Sequence, residues 1–314
     1  MKVGLVSNFN EQCGISTYAE DLVRYKNANV EYELIYNTSL VKAVSLANSC
    51  DIIHINFYPA VGFGFDFKTF LENVDKKFIL TNHSTKFQQE WYKSLSVVVT
   101  HLPVISGYFL TRNVHIPHGI PEKNLSNIKP SKLILSQSGF PFAWKNFPVV
   151  CKTASILYKN GVDVSVILFM PNTDRSPVDA ELLKCKTALN PNIDSKFITD
   201  WLDEDILIQR LHDEASVMLH FTSGSVGTIE SEGPSGSVRI SIASQRPVVL
   251  NANASQYVDL LKYDGIYGAY SEEELPDLVM KAYTENKTTK DLIEDQSYKK
   301  MCDKYYNLYL QELS

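Results

Sequence analysis

The sequence predicts an α/β protein built from two doubly wound domains. Three observations carry that prediction. Short apolar, β-branched runs of strand length recur along the chain, and helix-like patterns separate them. The alternation stops once, at the Gly-, Pro-, Asn- and Ser-containing stretch "HGIPEKNLSNIKPSK" from His118 to Lys132, and then begins again. Continuous apolar strands with helices between them form a parallel sheet covered on both faces, because each crossover lays a helix on one face or the other.

In the first half the expected strands are "KVGLVSN", "YELIY", "DIIHINF", "KFILTN", "SVVVTH" and "NVHIP". Candidate helices fall at Ile15 to Tyr25, Leu40 to Ala47, Phe67 to Val74 and Val104 to Leu110. After the linker-like stretch come strand "LILSQSG", helix Asn146 to Tyr158, strand "DVSVILFM", helix Asp179 to Ala188 and strand "KFITD". Helix Glu204 to Asp213, strand "SVMLHFT", helix Ser235 to Ser244 and strand "PVVLNA" complete the second set. The chain from about Ser271 is mostly helical, and Tyr305, Tyr306 and Tyr309 form a stripe near its end that reads as packing surface. The expected domains are residues 1–122 and 123–289, with a terminal helix, 290–314, packing back on the first.

A chain of 314 residues with 44% hydrophobic content can fill a core in each of two domains. Its longest apolar runs are strand length, well short of the roughly 20 residues of a membrane span, so no integral membrane association is expected. The start "MKVGLVSNFN" lacks the apolar stretch and cleavage site of a secretory signal, and a cytoplasmic location is the expectation. Five scattered cysteines without a C-x-x-C pair make a disulfide framework or structural zinc unexpected. The seven histidines show no metal-ligand spacing, so no metal site is expected. A net charge of -6 gives no general pull toward nucleic acid.

Chemistry concentrates in "SEGPSGSVRISIASQRPVVL", residues 231 to 250. Strand "HFT" ends shortly before it, and Pro234 suits the first turn of a helix, where its missing N–H costs nothing. Free N–H groups at Ser235, Gly236 and Ser237 would converge at the positive end of the helix dipole, an arrangement that favours phosphate. Gly233 and Gly236 permit close approach by a ligand. The same residues also suit an ordinary Gly-Pro turn before a helix.

The stretch resembles the donor-binding signature of retaining glycosyltransferases of the GT-B fold, the glycosyltransferase family 4-like group that includes glycogen synthase-like and mannosyltransferase-like enzymes. In that family an acidic residue opens the loop, here Glu232, a small-residue turn cradles the donor diphosphate, and a helix leads to a strand that "SQRPVV" matches. "NFNEQCGISTYAEDL" resembles the family's N-terminal loop and helix, with Gly14 in the turn that approaches donor or acceptor. "DIIHINF" matches the third strand, "FILTNHS" the strand ending in a histidine near the reacting sugar, here His83, and "NVHIPHGIP" the close of the first domain. "SGFPFAWKNF" resembles the start of the second domain, where a lysine, here Lys145, contacts the donor phosphates.

The resemblance implies two Rossmann-like domains facing a cleft and a retaining, metal-independent transfer of a hexosyl or pentosyl group from a nucleoside-diphosphate sugar, with a UDP-sugar as the expected donor and no other cofactor. Lys145 and the N–H groups at Ser235 to Ser237 would stabilise charge on the leaving diphosphate. Glu232 would orient the sugar through its hydroxyls, and His83 would donate a hydrogen bond to the sugar or position the reacting centre. His83 also suits a structural bond to backbone after its strand. Trp201 falls near the nucleotide base, where an aromatic residue equally suits the core. Two positions depart from the family. Ile240 stands where a second glutamate contacts the ribose, and Phe140 where an arginine is common.

No side-chain nucleophile stands out: Asp51 precedes its strand and Glu11 lies in a loop. The acceptor stays open among a glycan, a small molecule, a protein and a modified nucleobase of phage DNA, with DNA disfavoured by the acidic charge. The alternative is a noncatalytic nucleotide-sugar or carbohydrate-binding protein on the same fold. An oxidoreductase or an epimerase on a Rossmann sheet fits less well, because "NFNEQCGIS" and not G-x-G-x-x-G follows the first strand.

Overall fold

The computed structural model describes residues 1–9, 12–58, 62–83, 90–102, 111–126, 130–174, 178–222 and 235–314. They divide into two compact units, 1–119 with 296–314, and 120–295.

The first unit is a six-stranded parallel sheet in the order β2-β1-β3-β4-β5-β6. Its strands are β1 (Lys2–Val6), β2 (Glu31–Ile35), β3 (Ile52–Phe57), β4 (Phe78–Asn82), β5 (Val97–Thr100) and β6 (Arg112–His115). Side chains alternate between faces, as a period of two requires. Val3 and Leu5 of β1 enter one apolar cluster, with Tyr18, Ala19 and Leu22 of helix α1 (Gly14–Arg24). Val6 enters the other, with Ala43 and Ala47 of α2 (Leu40–Asn48) and Phe70 of α3 (Phe67–Asn73).

The second unit is also six-stranded and parallel, in the order β12-β11-β10-β7-β8-β9. It comprises β7 (Leu133–Ser138), β8 (Val164–Phe169), β9 (Ser195–Ile198), β10 (Val217–His220), β11 (Val248–Asn251) and β12 (Ile266–Ala269). On β8, Val164, Val166 and Leu168 face α4 (Pro148–Lys159) and α5 (Asp179–Ala188), and Ile167 and Phe169 face α6 (Glu204–Glu214) and α7 (Gly236–Ala243). α8 (Leu275–Glu285) joins the first of these faces and α9 (Lys290–Asp295) the second.

Three details differ from the sequence expectation. α4 starts at Pro148 and not at Asn146, because Asn146 is in the left-handed region (φ 53°) and proline is favoured at the first helical position. β12, four residues that include Gly268, was not anticipated. The return to the first unit begins at Gln296 and not at residue 290, since Leu292 and Ile293 of α9 pack into the second unit's core. The expected helix Val104 to Leu110 lies outside the described residues.

α10 (Tyr298–Leu313) buries Met301, Cys302, Tyr305, Leu308 and Tyr309 against the first sheet. Its tyrosines also bond inward. The Tyr305 hydroxyl lies 2.9 Å from that of Tyr18 and 2.7 Å from Thr81 Oγ1, and the Tyr309 hydroxyl lies 2.6 Å from His54 Nδ1. Tyr305 and Tyr309 are core residues of the first unit, and Tyr306 packs at their edge.

Candidate functional site

Ligands of open parallel sheets bind beyond the carboxyl ends of the strands, where the strand order reverses. In the second unit that point lies between β7 and β10. The segments leaving these two strands carry Lys145 and Ser235 to Ser237.

Lys145 ends a 3-10 turn, Ala143–Lys145, and is only 6% exposed. Its Nζ donates to Ser235 Oγ (2.8 Å) and Ser237 Oγ (2.9 Å) and lies 4.3 Å from the centre of the Trp144 ring. No carboxylate among the described residues pairs with it. Burial of a cation without a counter-ion disfavours the charged form and pulls the Lys145 pKa down to about 7. An ammonium has three donors. Two are taken by hydroxyls, and the third is available to an anion.

The facing helix end is open as well. Ser39, Asp66 and Ser297 cap α2, α3 and α10 through their side chains. Ser235 holds the same position on α7 but makes no cap bond, because its hydroxyl is turned to Lys145. The N–H groups of Gly236 and Ser237 therefore take no acceptor among the described residues. A Cβ on Gly236 would meet nothing within 4 Å.

Gly139 lets the two segments approach. Its φ is +131°, and a Cβ there would stand 2.9 Å from Ser237 Cβ. Behind the cation, His220 Nε2 lies 2.8 Å from Ser241 Oγ. Burial, reinforced by the Lys145 charge, pushes His220 down to about 3, so it is neutral and adds no competing cation.

A row of aromatic rings runs from this pocket. Trp144 and Phe142 lie parallel within 10°, with centres 6.4 Å apart; Phe140 follows at 5.9 Å from Phe142, and Trp201 at 5.7 Å from Phe140. Phe140 thus puts a ring against Trp201 where an arginine is common in the family that the sequence resembles. Ile240 packs against the core of the second unit and supplies no carboxylate. Arg239 is buried and donates to Asp259 (3.2 Å).

In the first unit the strand order reverses between β1 and β3. Asn56, near the end of β3, donates through Nδ2 to Ser7 Oγ (2.9 Å) and to the Ile15 carbonyl (3.0 Å). Its Oδ1 lies 2.5 Å from His83 Nε2. His83 follows β4, and its own N–H donates to the Phe57 carbonyl (3.1 Å). Burial, then the nearby His118 and His54, holds the His83 pKa well below its ordinary value.

The Tyr18 ring is edge-on to three imidazoles, His83, His101 and His118, at centre distances of 4.6, 5.1 and 5.1 Å. Among the described residues no group of His, Cys, Asp or Glu side chains is arranged to hold a metal. Gly14 opens α1 with free space beside it, and the Cys13 thiol accepts from Ser16 N (3.4 Å) and Asn8 Nδ2 (3.0 Å).

The structure brings together Lys145, Ser235, Gly236 and Ser237, and connects Trp201 to them through the aromatic row. Glu232 and Gly233 lie outside the described residues, as does Glu11. Asp51 accepts from Lys2 N (2.8 Å), a structural bond at the base of the sheet. Sequence reading did not single out Asn56, His101, Tyr18 or His220. His101 repeats the pattern of His83, a histidine directly after an apolar strand, and that repetition was a usable signal.

No family model and no curated protein matches the sequence. Solved structures match its fold over nearly its whole length. Anabaena HepE in complex with UDP-glucose aligns with a TM-score of 0.73 at 13% identity, over 99% of this chain and 100% of that one. The trehalose-6-phosphate synthase OtsA aligns at 0.63 and 11%, over 99% of each chain. An α-glucosyltransferase in complex with UDP and a 13-mer DNA containing an HMU base aligns at 0.62 and 14%, over 99% of this chain and 95% of that one. The two parallel six-stranded sheets are the GT-B architecture of these structures.

Proposed function

We propose that this chain is a retaining glycosyltransferase that moves a hexosyl or pentosyl unit from a nucleoside-diphosphate sugar to an acceptor hydroxyl. The observation that carries the reading is Lys145, a buried ammonium without a described carboxylate partner, beside an uncapped helix start. Such a site suits a diphosphate. A UDP-sugar is the donor we favour, because several structures of this fold hold UDP or UDP-glucose.

As the bond between the anomeric carbon and the diphosphate oxygen breaks, negative charge grows on the phosphate. Lys145 and the N–H groups of Gly236 and Ser237 stabilise that charge without a metal or other cofactor. The acceptor oxygen bonds to the anomeric carbon from the same face, and its proton passes to the departing phosphate oxygen. Glu232 orients the sugar hydroxyls, Gly233 admits the diphosphate, His83 meets the sugar, Gly14 keeps the first unit's turn open, and Trp201 with Phe140 supports the base. The acceptor is a glycan, a small molecule, a protein or a modified nucleobase of phage DNA; the net charge of -6 disfavours DNA. We place the protein in the cytoplasm; among the described residues no helix is long and apolar enough to cross a membrane.

Ile240 packed against the core and Phe140 against Trp201 favour a second reading, a noncatalytic nucleotide-sugar or carbohydrate-binding protein. Titration calorimetry with UDP and UDP-glucose in the presence of a chelator, followed by a hydrolysis and acceptor assay, separates the two. Binding with turnover supports the transferase, binding without turnover supports the second reading, and no binding of either ligand removes the transferase and leaves only carbohydrate binding. Glu232→Gln is expected to lower transfer more than binding of UDP alone. Equal loss of both would exclude a sugar-orienting role for Glu232.

A further inference from the structure

Asn56 is fully buried and joins three strand ends of the first unit. We propose that Asn56 is a positioning residue that fixes the tautomer of His83, so that His83 Nδ1 accepts a hydrogen bond from a hydroxyl of the sugar substrate. The hydroxyl half of this inference rests on the transferase reading, and the tautomer half stands on the first unit alone.

The orientation of the amide follows from its partners. A backbone carbonyl can only accept, so the Asn56 atom 3.0 Å from the Ile15 oxygen is the nitrogen, and the oxygen faces His83. That oxygen can only accept in turn, so His83 Nε2 carries the hydrogen. A neutral imidazole has one N–H, which leaves Nδ1 with a bare lone pair. Nδ1 takes no hydrogen bond from the described residues. The ring therefore presents an acceptor and not the donor expected from the sequence.

The surroundings keep the ring neutral. Among the described residues the titratable groups near it are Tyr18 from α1, His54 from β3, His101 after β5 and His118 after β6, and none of these is a carboxylate. A second proton on His83 would sit among imidazoles and an aromatic edge, with no described anion to balance it. The same environment makes Nδ1 a weak base. It suits a hydroxyl that must be held and not deprotonated, which leaves proton transfer to the departing phosphate.

The test is 15N imidazole NMR of the full chain with labelled histidine, the His83 signals being identified by their loss in His83→Gln. The expected result is a protonated Nε2 and a bare Nδ1 at pH 7 and still at pH 6. An Nδ1–H tautomer, or an imidazolium at pH 7, would overturn the proposal. Asn56→Asp puts a carboxylate against Nε2, so His83 should become cationic at pH 7 and lose its acceptor. KM for UDP-glucose should then rise about 3- to 10-fold, the loss of one hydrogen bond, with affinity for bare UDP unchanged. Equal losses for both ligands would mean a general structural role.

Should Asn56→Asp not fold, the His83 variants decide. Asn places its oxygen near the Nδ1 position, and Gln reaches the Nε2 position. KM closer to wild type in His83→Asn than in His83→Gln supports the inference, and the reverse order overturns it. A protein that binds no nucleotide sugar overturns the hydroxyl half together with the transferase reading, while the tautomer is decided by the NMR spectrum alone.

Discussion

At the strand ends of the first unit, His83 is held neutral by burial and bonded to an amide, whereas at those of the second a buried ammonium faces two hydroxyls and an uncapped helix start. Both places occupy the same topological point, the reversal of strand order in a parallel sheet. The difference lies in what each leaves unsatisfied. Among the described residues His83 has no donor for one lone pair, and Lys145 and α7 have no anion. The same topological point thus carries a spare acceptor in one unit and spare donors in the other.

The largest expected effect comes from removing the cation. Lys145→Ala should weaken UDP binding by about 1.5–3 kcal/mol, the range for a hydrogen bond to a charged group. Calorimetry on the folded variant checks this, and unchanged affinity would remove the contrast between the units.

Gly139→Ala forces a Cβ into Ser237 at a backbone angle that side chains rarely adopt. A loss of about 1–3 kcal/mol of stability is expected from that strain, with weaker UDP binding because Ser237 belongs to the pocket. Thermal denaturation with and without UDP reads both effects. Trp201→Ala should weaken UDP binding by about 0.5–1.5 kcal/mol if the ring stacks on the base, and inorganic pyrophosphate should bind the variant as it binds wild type.

The smallest expected effect on nucleotide binding is that of Tyr305→Phe. It removes a hydroxyl shared with Tyr18 and Thr81 and should lower stability by about 0.5–1.5 kcal/mol without altering UDP affinity. A change in UDP affinity would show that the core of the first unit and the anion pocket are not independent.

Much of the architecture was legible because its signals are local. Val164 to Phe169 is an apolar run whichever strand it pairs with, whereas the helix expected from Asn146 starts at Pro148. The Lys145 pocket was legible in part, through Lys145 and the Ser-Gly-Ser turn. The hydrogen bond from Lys145 to Ser235 joins positions 90 residues apart, and only folding reveals that Ser235 gives up its capping role to make it. The cluster around Tyr18 gathers histidines from the ends of β4 and β5 and from the segment after β6, and no spacing rule predicts that gathering. Asn56 lay hidden inside an apolar strand, where a buried amide looks like any other satisfied core residue.

Whether Lys145 serves as a cation for a bound anion is decided by UDP affinity measured by calorimetry between pH 7 and pH 9, for wild type and Lys145→Met. Burial sets the free lysine near 7, and a bound diphosphate favours its protonated form. Affinity should therefore fall as pH rises through this window, by up to about tenfold per unit, well above the phosphate's own titration near about pH 6. Stability of the free protein should move the other way. The unfolded chain, whose lysine titrates near 10.5, binds the extra proton across the window, so wild type gains stability relative to Lys145→Met as pH rises. A wild-type affinity that is flat from pH 7 to pH 9, or a Lys145→Met variant that binds UDP as tightly as wild type, would contradict the account.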